Sequence, residues 1–213
     1  MTVTILSLAA RGEDEIAVTF ALREGEHQQT EAFTVSAADV ADLRLCRGDS
    51  DRETFDAVGH LAELRRARKQ GLYLLGYGAC SRRMLCEKLR RKGFPKEIAE
   101  EAVALLCRDG YLNPAADALR EAQRGVAKLW GKRRIAAALF SKGYDEAEIQ
   151  DALFSLEDEG VDYAELCAER IRQTMPDLSA DPAMKRKQIA SLERCGFTHS
   201  EIREAFKQVS EES

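Results

Sequence analysis

Three hexapeptides in this chain share one pattern at a spacing of about 50 residues: LRRKGF at 89–94, LFSKGY at 139–144 and LERCGF at 192–197. Leucine, three residues, glycine and an aromatic are what a helix needs to stop abruptly and hand the chain to the next helix. Place Gly93, Gly143 and Gly196 just past the helix cap, in the left-handed region that glycine adopts without strain. Leu89, Leu139 and Leu192 then lie in the last helical turn, and Phe94, Tyr144 and Phe197 follow the glycine. In the Schellman motif these two side chains touch.

Each aromatic is followed by a helix start signal. Pro95 suits a first helical turn. Asp145 and Thr198 are N-caps, with Glu148 and Glu201 three residues on to close a capping box. The aromatic precedes the cap and is placed to staple onto Ala99, Ile149 or Ile202. The nine residues Leu89, Gly93, Phe94, Leu139, Gly143, Tyr144, Leu192, Gly196 and Phe197 are therefore expected to form three tight helix–helix corners.

The copies lie about 50 residues apart. Each corner is preceded by a leading helical stretch, at roughly 54–77, 114–127 and 162–174, and followed by another amphipathic one. The expected fold is mainly α, with three tandem three-helix repeats in an elongated, curved array and a small N-terminal β-rich extension. The boundaries are 1–52 for the extension and 53–110, 111–161 and 162–213 for the repeats.

The extension reads as strands. TVTILSL, EIAVTFAL and TEAFTVS are β-branched runs separated by AARGED and REGEHQQ, both turn-like. Ser36 is placed to cap a short helix, AADVADLRL, and Arg47–Asp51 reads as a loop.

Charge is unevenly spread. The net charge is −5, but residues 62–92 hold ten basic against two acidic side chains, which leaves a polyanion or acidic partner open. The six cysteines make no C-x-x-C pair and read as reduced, small apolar residues. No metal, cofactor or catalytic residue is expected, because no phosphate loop, G-x-S-x-G elbow or H-E-x-x-H motif is present. The opening MTVTILSLAARGEDE is a poor signal peptide, and no run of about 18 apolar residues occurs, so the chain is expected to be cytoplasmic and off the membrane.

Several segments carry a family resemblance. SRRMLCEKLRRKGF, DGYLN (109–113), WGKRRIAAALFSKGY (130–144) and LERCGFTHSEI (192–202), in this order, resemble the RecX family of bacterial RecA modulators. The likeness spans about residues 60–209. The chain departs from the family pattern at GYGAC (76–80), Met84, Ala138 and Pro114.

That resemblance implies a non-enzymatic regulator of recombination and the SOS response. It would bind the RecA recombinase and its nucleoprotein filament, most simply as a monomer and an inhibitor, with weak single- or double-stranded DNA contact. The residues assigned to partner binding are three basic clusters at the second helices: Arg82, Arg83, Arg90 and Arg91; Lys132, Arg133 and Arg134; Lys185, Arg186 and Lys187. Such faces are more commonly only solvated, while Arg also suits bidentate contact with phosphate or carboxylate. Trp130 and Tyr111 are candidates for base stacking, though such aromatics more often anchor helices. LYLLGYG (72–78) reads as core between repeats. The alternative is a helix-turn-helix-like protein acting on DNA directly, against which stand the acidic third helices of the first two repeats.

Overall fold

The computed structural model describes residues 2–174 and 181–211. The amino-terminal segment is a meander of β1 (Thr2–Ala10), β2 (Ile16–Glu24) and β3 (His27–Val35), with a short β4 (Gly48–Ser50). The strand order is β3-β2-β1-β4, and all three pairings are antiparallel. Alternation puts Val18 and Phe20 of β2 and Val3 and Ile5 of β1 into the core.

Two expectations are corrected here. REGEHQQ is mostly strand: β3 begins at His27, and Gly25, at φ 60°, makes a tight turn. Arg47–Asp51 is not all loop, since Gly48–Ser50 pairs with Val3–Ile5. A three-residue strand of Gly, Asp and Ser has no local strand signature; the bonding edge of β1 makes it one. Ser36 caps α1 (Ala37–Asp42) through a capping box with Asp39. That helix is shorter than expected, because the chain reverses at Arg44, held at φ 50°.

The helices follow in order: α2 (Arg52–Leu75), α3 (Arg82–Arg91), α4 (Lys96–Arg108), α5 (Pro114–Val126), α6 (Lys132–Ser141), α7 (Glu146–Asp158), α8 (Tyr163–Thr174), α9 (Pro182–Arg194) and α10 (His199–Glu211). The chain thus forms a mostly helical protein with a small antiparallel sheet at its amino-terminal end. No described helix is long and apolar enough to cross a membrane.

The chain divides into two compact units. The first comprises Met1–Tyr77 and Cys86–Tyr111. In it α2 covers the sheet: Phe55 and Val58 meet Val18, Phe20 and Val35, and Phe20, Phe33 and Phe55 pack edge to face. Such aromatic contacts add to area burial. Further along α2, Gly71 lets Leu106 of α4 approach until a Cβ would stand 2.6 Å from it.

The second unit comprises Gly78–Leu85 and Leu112–Ser213. Its first core cluster joins α5, α6 and α7 through Ile135, Leu139, Tyr144, Ile149 and Leu153. Its second joins α8, α9 and α10 through Ile171, Leu192, Phe197 and Ile202.

Candidate partner-binding surfaces and their helix corners

The three hexapeptides form the expected corners. Gly93, Gly143 and Gly196 have φ of 95°, 82° and 92°. The amides of Phe94, Tyr144 and Phe197 each donate at 3.3 Å to the carbonyls of Leu89, Leu139 and Leu192. The glycine amides donate to Arg90, Phe140 and Glu193 at 3.0, 2.9 and 2.9 Å. These two bonds define the Schellman end. The capping boxes form at Asp145 with Glu148 and at Thr198 with Glu201. Pro95 stands at the cap of α4, one place ahead of the first turn.

The same ending occurs twice more, outside the three hexapeptides. Tyr111 and Val161 donate to Leu106 and Leu156, beside Gly110 and Gly160 at φ 76° and 90°. Leucine four places before glycine was visible at both. A further such end is built at Leu129, at φ 54°, where only tertiary structure explains the choice: Arg170 of α8 donates to the carbonyls of Lys128 and Leu129 at 3.3 and 3.2 Å.

Two corners also act as joints. Ser81, which caps α3, donates from its hydroxyl to the Lys142 carbonyl at 2.8 Å. Gly131, which caps α6, donates from its amide to the Cys195 carbonyl at 2.8 Å. In each case the acceptor immediately precedes the corner glycine. The approach leaves little room: a Cβ on Gly143 would lie 2.9 Å from the Ser81 hydroxyl, and one on Gly196 would overlap the Arg134 amide. The Lys142 ammonium is tied to Glu121 of α5. Burial alone would raise the Glu121 pKa, but Lys142 and Arg124 outweigh it and hold the carboxyl below its ordinary value.

The three basic clusters lie on α3, α6 and α9. Arg82, Arg83, Arg90 and Arg91 of α3 are exposed, opposite buried Leu85 and Leu89. Arg133 and Arg134 are exposed on α6, and Lys185, Arg186 and Lys187 on α9. Several have partners within the chain. Arg82 lies 3.6 Å from Glu148, Arg91 lies 3.8 Å from Glu87, and Lys132 meets Glu157 at 2.5 Å. Arg134 stacks over Trp130 at 4.5 Å, and Lys185 stands over Phe206 at 5.9 Å. The α6 cluster also touches the third corner, where the Arg133 amide donates to Gly196.

The aromatics divide. Trp130 is half-buried, with Lys128 and Arg134 against its ring, which fits the anchoring role. Tyr111 is 58% exposed. LYLLGYG is corrected: Tyr73 and Tyr77 are 61% and 74% exposed and pack edge to face, with their hydroxyls hydrogen-bonded. They lie where α2 ends and the chain leaves it, beyond the stripe that faces α4. All six cysteines are free thiols. No cluster suited to a metal ion occurs among the described residues.

The family model described as RecX, first three-helix domain, matches residues 67–106. A regulatory protein RecX of Chlorobaculum tepidum is 33% identical over 140 residues, covering 65% of this chain and 84% of the relative. A regulatory protein RecX of Vibrio cholerae is 31% identical over 146 residues, covering 68% and 94%. A crystal structure of regulatory protein RecX matches the fold with a TM-score of 0.70 at 20% identity, over 98% of this chain and 99% of that one. RecX from Lactobacillus salivarius matches at 0.59 and 21%, over 70% and 97%.

Proposed function

This chain belongs to the RecX family, and on that premise we propose that it is a non-enzymatic regulator of the RecA recombinase. It binds RecA and its nucleoprotein filament and restrains ATP turnover and strand exchange. The observation that carries this reading is the family likeness, which spans 84% and 94% of two proteins called regulatory protein RecX.

In this reading the helices form three tandem three-helix repeats, at 53–110, 111–161 and 162–213, behind the β-rich extension at 1–52. The exposed Arg and Lys of α3, α6 and α9 meet carboxylates of the recombinase or phosphates of its DNA. Arg133, Arg186 and Lys187 contribute more than Lys132, which Glu157 already holds.

Direct reading of duplex DNA is the weaker account. Glu97, Glu100 and Glu101 are exposed on α4, as are Glu146, Asp151 and Glu157 on α7. A recognition helix carrying them would be repelled by phosphate.

The test is binding to preassembled RecA filaments on single-stranded DNA, against naked DNA at matched salt. Filament binding at concentrations where naked DNA stays free is expected. Equal affinity for naked DNA would contradict the reading.

A further inference from the structure

We propose that the corner at the end of α3 is a docking site for the acidic first turn of a helix belonging to a protein partner. The chain supplies the template twice. The end of α6 receives the start of α3 through Ser81 and Lys142, and the end of α9 receives the start of α6 through Gly131 and Cys195. Each time the carbonyl before the corner glycine accepts from the incoming cap residue. The positive end of one helix thereby meets the carbonyl end of another.

The end of α3 has the same backbone, with Gly93 at φ 95° and the same two hydrogen bonds. Among the described residues no helix start is seated on its receiving face, and the Arg66 guanidinium stands 5.9 Å over the Phe94 ring. A Cβ on Gly93 would meet no atom within 4 Å, whereas Gly143 and Gly196 are crowded. Phe94 is half-buried, while Tyr144 and Phe197 are 4% and 1% exposed. A shallow, open depression of about 570 Å³ lies at this point, lined by Glu87, Arg90, Arg91, Phe94, Pro95 and Lys96. The carbonyl equivalent to those of Lys142 and Cys195 belongs to Lys92.

Charge selects the occupant. Arg90, Arg91, Lys92 and Lys96 are all exposed around this corner, whereas the matching positions before the other two glycines read Phe140, Ser141, Lys142 and Glu193, Arg194, Cys195. A helix start offers amide donors and a positive dipole to the end of α3. Asp or Glu in its first turn would answer the basic rim. Phosphate would face the carbonyl end of α3 and brings no amide donor. In a second copy the helix start next in this series, that of α9, has no acidic residue in its first turn and would bring Lys185, Arg186 and Lys187 against like charge.

The identity of the partner as RecA rests on the proposed function; the site itself rests on the corner. The test places a photo-crosslinking phenylalanine at position 91 of the full chain, bound to RecA filaments on single-stranded DNA. It is paired with the double variant Arg91→Glu, Lys96→Glu. Crosslinks to an acidic helix start of the recombinase, with filament affinity roughly tenfold lower in the double variant, are expected. Crosslinks to DNA or to a second copy, or a double variant that binds as tightly as the parent, would overturn this proposal while leaving the regulatory reading intact. No filament binding by the unaltered chain would overturn both.

Discussion

The Ser81 hydroxyl, 1% exposed, donates to the carbonyl of Lys142 across 61 residues of chain and accepts from the amide of Met84. One side chain thus caps α3 and fastens it to the end of α6. Ser81→Ala removes both bonds and leaves a carbonyl unmet. It is expected to cost about 1–2 kcal/mol, measured by urea denaturation. A midpoint equal to the parent's would show that the joint carries no stability.

The corner glycines separate conformational strain from crowding. Gly93→Ala meets no atom and should cost about 1–2 kcal/mol, the penalty of a Cβ in the left-handed region. Gly196→Ala carries that penalty and also drives a Cβ into the Arg134 amide, for a further ~1–3 kcal/mol. Equal losses in the two variants would remove the close packing of this corner from the account.

Leu139 is 2% exposed and lies with Tyr144 in the core of α5, α6 and α7. Leu139→Ala should therefore destabilise the second unit by about 2–4 kcal/mol. Tyr144→Ser should act in the same direction, and Phe94→Ala, at the half-open first corner, should cost less. Melting curves of the three variants check the order.

Alkaline pH should weaken the second unit. Burial, with Asp117 and Glu121 nearby, pushes the Tyr144 hydroxyl up to about 12. Burial does the same to Tyr163, up to about 12, with Glu157 and Glu201 adding to it, and raises the Cys167 thiol to about 12. The folded chain keeps these protons after the unfolded chain has released them. Their contribution is complete below the ordinary thiol value near 9 and is lost as the pH climbs from there towards 12. Thermal midpoints from pH 8 upward should fall, and Tyr144→Phe should make the fall shallower. A flat profile would contradict the burial of these groups.

What was legible in the sequence is what is decided within a few residues. Leucine and glycine four apart mark a Schellman end at Gly93, Gly110, Gly143, Gly160 and Gly196, though not at Gly76, which stays at φ −61° after Leu72, and Asp145 with Glu148 marks a helix start whose bonds close locally. Tertiary choices were not legible. Gly48–Ser50 becomes a strand only because β1 has an edge to offer, and Leu129 sits at positive φ where Arg170 takes the freed carbonyls. Tyr73 and Tyr77 looked like core, yet they fall outside the face of α2 that meets α4. The basic clusters were found because charge on a short amphipathic helix has one place to go. That Lys132 is engaged by Glu157 depended on a neighbour 25 residues along the chain.

The most direct test of the regulatory account is ATP hydrolysis by RecA on single-stranded DNA, titrated with this protein. Turnover should fall at protein concentrations that leave naked DNA unbound. Unchanged turnover under conditions of full filament binding would contradict the claim that this chain restrains the recombinase.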